Sequence, residues 1–476
     1  MQDQYSVKQS NNPYHNARVA IVGMGVTGCS CARFLLNQDA QLTVFDKKVL
    51  SETELLQQLA FSNTEKKTHT NNEIRSKILD EHTDLNGFDF VVLSPGVSAQ
   101  FKPISNIKNR DVIISDLDIF AQFNTVPCIG VTGSNGKSTV VDLLQRSLQA
   151  SGKKVQMGGN FGTAALDLLD NEADYIVLEL SSFQLDITQK LPLQVACVLN
   201  ITEDHIDRHH SFEAYSAAKH RIFEQTQLLV VNRDDDNTVP SPFMAQQNNM
   251  AKQNSVAASV SASLPTDPSA LGQHDFWQDE HGIHCQTSLL IPIAGINSPL
   301  AHMMLNMQFV LGIVSALGIS LQHAVEQCRQ YQGLPHRFEF VAQQGHIRYI
   351  NDSKATNPGA CLAAIQSANQ LQMNIILIAG GDAKGADLSV LDHSLRNWVR
   401  WCVVYGKDAE LFTRFGEHVI CVGSLETAIE EAKRKAAQFT DETLVLLSPA
   451  CASIDMFSNY MERGEAFRKA VLEEAA

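Results

Sequence analysis

The chain has 476 residues, 44% hydrophobic and 19% charged, with a formal net charge of -15. That length exceeds one ordinary core and the composition is globular, so two to four domains are expected, and the acidic balance argues against a general binder of nucleic-acid backbones. Ten cysteines with no CxxC pair argue against a structural zinc site and a disulfide framework and predict reduced, mostly buried thiols. The N-terminal "MQDQYSVKQSNNPYHNA" has no apolar signal core, and no run of about 18 apolar residues occurs, so a cytoplasmic protein without a membrane span is expected.

From the N-terminus onward one pattern recurs: a β-branched run, a polar or glycine turn, then an amphipathic stretch. "RVAIVGMG", "FVVLSPG", "CIGVTGSNG", "YIVLELSS", "VACVLNIT", "LLVVNRDD", "IILIAGGD" and "TLVLLSPA" are the runs. Apolar strands alternating with helices imply an α/β protein with parallel sheets covered on both faces, and ligands at the carboxyl ends of the strands. Residues 62–86 and 236–282 break the rhythm. Their polar composition predicts surface insertions or loops. Boundaries near 117–126 and at "GLPHR" (333–337) give three domains, 1–119, 120–334 and 335–476.

The first run leads into Gly23, Gly25 and Gly28, a GxGxxG turn between strand and helix, and Asp46 ends the next strand. Such a turn favours an anion at the helix N-terminus, and its common reading is a dinucleotide site. "SPGV" at 94–97 ends a further strand and can add backbone donors to the same crevice. In "VTGSNGKST", Gly136, Lys137 and Ser138 match the end of a P-loop, with Gly133 in place of a more distant first glycine. Gly133, Ser134, Asn135 and Gly136 offer N–H groups to phosphates. Lys137 neutralises the β/γ end, and Ser138 or Thr139 is placed to ligate Mg²⁺. A nucleoside triphosphate is the expected ligand.

Glu179 closes an apolar strand in "YIVLELSSFQLD". A buried carboxylate is costly unless it meets a cation, and beside a triphosphate Mg²⁺ is the natural one. "LNITEDHIDRHH" then groups Asp204, His205, Asp207, His209 and His210 without a zinc spacing. His205 and Asp204 lie nearest the strand end, and the remaining histidines are expected to be solvated. Lys219, in the helical "YSAAKHRIF", reads from the residues alone as a snorkelling surface side chain.

Taken together, "TGSNGKST", "ELSSFQLD", "LNITEDHIDRH" and "YSAAKHRI" resemble the central domain of the Mur ligases, which build the peptide stem of bacterial peptidoglycan. "GLPHRFE", "NDSKATNPGA", "GGDAKGAD" and "LLSPACASIDMF" resemble the D-glutamate-adding branch of that family. The resemblance implies a Rossmann-like N-terminal domain for the UDP-sugar, a central P-loop ATPase-type domain, and a Rossmann-like C-terminal domain for the amino acid. It implies ATP-dependent ligation of D-glutamate to UDP-MurNAc-L-Ala by a monomer, with two Mg²⁺ ions and a CO₂-derived carbamate on Lys219. Ser138, Glu179, His205 and the carbamylated Lys219 then hold metal, and Lys137, Glu179, His205 and Lys219 form the catalytic set. ATP contacts fall on residues 133–139, Asn306, Arg337, Asp352 and Lys354. UDP-sugar contacts fall on Val26, Thr27, Asp46, Lys47, Lys48, Gly96, Asn160 and Gln184, which turns GxGxxG into a phosphate turn for a different ligand. D-glutamate contacts fall on Thr356, Lys384, Ser453, Ile454 and Tyr460. Two positions depart from the family pattern: Met303 stands where an Asn is frequent, and Tyr460 where Phe is common. A sister ligase, a nucleotide switch and an NAD(P)-linked enzyme are the competing readings. The third-domain motifs disfavour the first, and Glu179 with Lys219 disfavours the second. The third rests on GxGxxG alone.

Overall fold

The computed structural model describes residues 12–59, 74–169, 172–239, 255–264, 271–272, 274–296 and 300–473. Three sheets follow one another along these residues. The first contains β1 (Arg18–Val22), β2 (Gln41–Asp46), β3 (Ile74–Ile78), β4 (Phe90–Leu93) and β5 (Ile113–Ile114), all parallel, in the order β3-β2-β1-β4-β5. In β1, Val19 to Val22 are fully buried, as expected of a strand covered on both faces.

The central sheet contains β6 (Cys128–Thr132), β7 (Val155–Gly159), β8 (Tyr175–Glu179), β9 (Leu193–Val198), β10 (Thr226–Asn232), β11 (Ser255–Ser261), β12 (Asp275–Asp279), β13 (Gly282–Cys285) and β14 (Ser288–Pro292). Its order, β14-β13-β12-β11-β10-β9-β6-β8-β7, sets β6 between β9 and β8. Parallel register aligns Val131 with Glu179 and Thr132 with Val198. The polar turns after three strands therefore open side by side.

The third sheet contains β15 (Glu339–Gln344), β16 (Ile347–Asn351), β17 (Asn374–Gly380), β18 (Val399–Tyr405), β19 (Val419–Cys421) and β20 (Thr443–Leu447). It is ordered β15-β16-β20-β17-β18-β19, with only β15 antiparallel to its neighbour.

Two expectations need correction. The polar segment 62–86 contributes β3, an edge strand whose "IRSKI" is largely exposed, so neither apolar content nor alternation marks it. Residues 236–282 contribute β11 and β12, which carry the fully or nearly fully buried Ala258, Val260 and Phe276 into the central sheet. Small residues with single apolar positions fill those strands, and composition alone hides them. Residues 60–73 and 240–254 lie outside the described residues.

The sheets are joined unequally. One cluster of buried apolar side chains runs from Ile21 and Leu42 of the first sheet to Leu178 and Val198 of the second. Asp118 reinforces that junction by accepting from the N–H groups of Gln189 (2.8 Å) and Lys190 (2.7 Å). The third sheet has its own clusters. The chain crosses to it after Tyr331, whose hydroxyl donates to Asp142 on the helix Lys137–Ala150 (3.0 Å). It is seized again at His336, buried against Asn351 (3.0 Å) in the third domain. Among the described residues no helix is long and apolar enough to cross a membrane. All ten cysteines are free, eight of them buried.

Candidate active site

The first glycine turn leaves β1 and enters the helix Val26–Asn37. Gly23 has φ +94°, a region that favours glycine, and a Cβ at Gly28 would sit 2.0 Å from the Gly23 carbonyl oxygen. These two glycines are required by geometry. Asp46 spends its carboxylate on the turn, accepting from the N–H groups of Met24 and Lys47 at 2.6 Å each. A cavity of about 430 Å³ opens here. Val26, Thr27, Asp46, Lys47 and Gly96 line it from the first domain, and Asn160 and Gln184 from the central one. Lys48 is directed elsewhere, to an exposed ion pair with Glu54 at 3.7 Å.

The second turn leaves β6 and enters the helix Lys137–Ala150, with Gly133 at φ +155° and Gly136 at φ +84°. Asn306, from the helix Ala301–Ala316, packs against Gly136: a Cβ there would meet its side-chain oxygen at 2.5 Å. Ser134 and Thr139 are buried. The Asn135 N–H donates to Asn200 Oδ1 (2.9 Å).

Charge gathers around this turn. Lys137 Nζ donates to the carbonyls of Gly133 (2.7 Å) and Ser134 (3.0 Å), and Lys219 Nζ donates to the same Gly133 carbonyl (2.9 Å). Lys219 is 2% exposed and stands 4.5 Å from the Tyr215 ring centroid. It is therefore no surface side chain. Tyr215 and Lys219 are four apart on the helix Phe212–His220, so both reach one face. Burial, reinforced by the neighbouring Lys137 charge, pushes the Lys219 amine well below the ordinary lysine range. Burial and Arg337 also lower Lys137, while Glu179 works in the opposite sense.

Glu179 is 3% exposed at the end of β8. It accepts from Ser138 Oγ (2.5 Å) and Asn160 Nδ2 (2.8 Å). Burial alone would raise its pKa. Lys137, these two hydrogen bonds and Arg337 outweigh that and hold it below the usual carboxylate range. Arg337 crosses from the third domain to donate to Ser138 Oγ (2.7 Å).

His205 takes a left-handed conformation, φ +55°, and its Nε2 lies 3.6 Å from Asp204 Oδ2. His209, expected in solvent, is instead buried against Ser182 Oγ (3.0 Å). Together Lys137, Glu179, His205, Lys219, Arg337, Lys354 and Thr356 border a second cavity of about 270 Å³. Asn160 lines both cavities, so they adjoin. Among the described residues no three His, Cys, Asp or Glu side chains form a ready metal cage.

From the third domain, burial lowers Lys354 to about 7, and its Nζ lies 4.1 Å from the Tyr460 ring centroid. Asp352 does not face the cavity. It accepts from the Phe338 N–H (3.1 Å) and Ser448 Oγ (2.9 Å), and burial raises it to about 7. Its carboxylate thereby braces the backbone beside Arg337. Lys384 and the buried Ser453 follow the ends of β17 and β20, flanking a bridge between Asp382 and Ala452. Neither borders the second cavity. Ile454 is 64% exposed. Asn357, which the sequence reading passed over, donates to Asp204 Oδ2 (3.0 Å) and caps the helix Pro358–Gln370. Asn before Pro is a helix-start signal that could have found the cap, though not the contact across the domains.

Comparison with known proteins identifies this arrangement. Residues 17–116 match the family model "Mur ligase MurD-like, N-terminal domain", 131–288 the "Mur ligase middle domain", and 336–451 the "Mur ligase, glutamate ligase domain". A UDP-N-acetylmuramoylalanine--D-glutamate ligase of Pseudoalteromonas translucida is 37% identical over 466 residues, covering 96% of this chain and 98% of the relative. Its namesake in Haemophilus influenzae is 36% identical over 459 residues with the same coverage. Among solved structures, MurF from Acinetobacter baumannii aligns with a TM-score of 0.58 at 17% identity, covering 96% of this chain and 93% of that one. MurF from Thermotoga maritima in complex with ADP aligns at 0.57 and 16% identity, covering 92% and 96%. These structures share the fold, and the sequence relatives carry the conclusion that the chain belongs to the Mur ligase family.

Proposed function

We infer that the protein is the ATP-dependent ligase that adds D-glutamate to UDP-N-acetylmuramoyl-L-alanine in peptidoglycan precursor synthesis, as its relatives' names state for them. One observation carries the reading. A cavity at the first glycine turn adjoins, through Asn160, a cavity where Lys137, Glu179 and Lys219 face Lys354 and Thr356 of the third domain. Three substrates supplied by three domains can meet there.

In this reading the UDP-sugar occupies the first cavity, with the glycine turn at its diphosphate and Asn160 and Gln184 toward the sugar. ATP lies along the second turn, against residues 133–139, Asn306 and Arg337. The L-alanyl carboxylate attacks the γ-phosphate, ADP leaves, and an acyl phosphate results. The D-glutamate amine adds to that carbonyl, and the tetrahedral adduct expels phosphate. Lys137 neutralises charge on the transferring phosphoryl group, and much of the rest is positioning. Thr356, Lys384, Ser453, Ile454 and Tyr460 hold the amino acid, the lysine supplying the cation that a carboxylate needs.

The donor set fits a hard cation. Glu179 and Ser138 offer oxygens and His205 a nitrogen, and Mg²⁺ bound there supplies charge neutralisation to the phosphates. An amine does not ligate Mg²⁺, whereas a carbamate does. A neutral amine is the form that adds to CO₂, and the depressed Lys219 is neutral far more readily than an exposed lysine. We therefore assign Lys219 as the carbamylated residue. A nucleotide-activated sugar as substrate supports a cytoplasmic reaction.

The test is phosphate release from ATP with UDP-MurNAc-L-Ala and D-glutamate, each omitted in turn. Release is expected only with all three. Equal release with L-glutamate, or release without any amino acid, overturns the assignment.

A further inference from the structure

Arg208 lies three residues past His205, in the short helix Ile206–His209. Its Nη1 donates to the Gly96 carbonyl (3.3 Å), and its Nη2 donates to those of Pro95 (3.3 Å) and Val97 (2.5 Å). One guanidinium thus engages three consecutive carbonyls of the loop that walls the first cavity. It also reaches a residue of the second cavity: the guanidinium lies 5.2 Å from the Phe183 ring centroid, and Phe183 meets His205 edge-on at 4.7 Å. His210 adds a second tie to the same loop, Nε2 to Gln100 Oε1 at 2.8 Å.

Two physical consequences follow. Carbonyl oxygens pointing at a diphosphate repel it. Held by a planar fork of donors, the three oxygens are engaged away from it, and only arginine presents such a fork. Among the described residues Lys47 is the one lysine or arginine lining the first cavity, so a cation behind Gly96 adds positive potential where little is supplied. His205, for its part, has φ +55°, which a non-glycine residue holds only when its surroundings enforce it. The N–H groups of Arg208 and His209 both donate to the His205 carbonyl at 3.0 Å. Fixing Arg208 therefore fixes the turn on which His205 stands.

We propose that Arg208 is a positioning residue that couples the two cavities, locking the 95–97 loop of the nucleotide-sugar site to the turn that aims His205. This rests on the reading of the first cavity as the UDP-sugar site. Arg208 stands within the run "LNITEDHIDRH", but no pattern of spacing announces this role, because its partners are backbone carbonyls.

Arg208→Ala is expected to raise KM for UDP-MurNAc-L-Ala about tenfold and to lower kcat by a similar factor, with KM for ATP within about twofold. Arg208→Lys keeps the charge but loses the fork. It should recover part of KM and little of kcat. Amide hydrogen exchange of residues 94–98, in the proteins without any substrate, should quicken in both variants while the β6 and β8 amides stay as slow as in the parent. Unchanged exchange at 94–98 overturns the proposal, as does a fall in kcat with KM for the nucleotide-sugar unmoved. Exchange quickened throughout the chain in Arg208→Lys also overturns it, in favour of a general packing role. If the parent protein does not bind UDP-MurNAc-L-Ala, the functional reading fails, while exchange at 94–98 still decides whether Arg208 holds the loop.

Discussion

The two glycine turns of this protein share a plan and differ in what surrounds them. Each follows a parallel strand, opens a helix, and has a carboxylate at the end of a neighbouring strand. At the first turn, Val26 is 75% exposed and Asp46 is occupied by backbone N–H groups. At the second, Lys219 and Glu179 are buried, and the half-buried Lys137 donates to the same Gly133 carbonyl as Lys219. The backbone supplies an anion cradle in both cases. On the proposed reading, buried charge brought in by adjacent elements separates a binding turn from a reacting one, because its effect grows as water is removed.

The sharpest way to break this contrast is to remove the matching cations. Lys137→Ala should lower kcat/KM by about a thousandfold, the scale of losing a principal donor to transition-state charge. Lys47→Ala should cost about tenfold or less and act on KM for the UDP-sugar. Steady-state kinetics of both variants decide it, and similar losses would erase the distinction.

The carboxylates come next. Glu179→Gln should reduce kcat about a hundredfold and also lower stability near neutral pH, because the depressed carboxyl pKa is a favourable contribution of the charged form to folding. Asp46→Asn should weaken the first turn by about 1–3 kcal/mol, since two backbone donors lose a charged acceptor. Turnover and chemical denaturation of the pair test this, with the larger loss of turnover in Asp46→Asn as the contrary result.

Steric tests reach only the backbone. Gly28→Ala forces a Cβ to 2.0 Å from a carbonyl, whereas a Cβ at Gly25 meets nothing within 4 Å. Gly28→Ala should therefore destabilise by about 1–3 kcal/mol and Gly25→Ala by much less. Thermal unfolding of both variants measures the difference.

The last test concerns protons. The Lys219 pKa is lowered in the folded protein by burial, so below the unfolded lysine value of about 10.4 the unfolded chain binds the extra proton. The stability contribution present above that value is lost as pH falls toward the folded pKa. Lys219→Met removes this linkage, so in substrate-free protein kept free of CO₂ and bicarbonate, where Lys219 is a free amine, unfolding free energy should rise relative to the parent as pH falls from 10 to 7. A difference independent of pH would show that the amine is not perturbed.

Sequence made parts of this legible and concealed others for physical reasons. β-branched runs ending in glycine or a carboxylate marked β1, β6 and β8, because strands covered on both faces admit few other residues. β3 escaped because an exposed edge strand needs no apolar face, and β11 because small residues pack without a periodic signature. Lys137 and Glu179 could be read from spacing. The burial of Lys219 could not, since it depends on which helix face meets the Gly133 turn. Only the family resemblance drew attention to that residue. Arg208 and Asn357 act on a distant backbone and a distant carboxylate, relations that no local pattern encodes.

The crossing into the third domain has a kinetic meaning. Between Tyr331, held by Asp142, and His336, held by Asn351, residues 332–335 span at most about 14 Å when extended. A tether so short does not let the third domain diffuse. It confines Thr356 and Lys354 to an arc over the phosphate turn. On the proposed reading, in which the third domain holds the amino acid, that substrate meets its partner at an effective concentration set by the tether's length, on the order of millimolar for short links, and independent of how dilute the enzyme is.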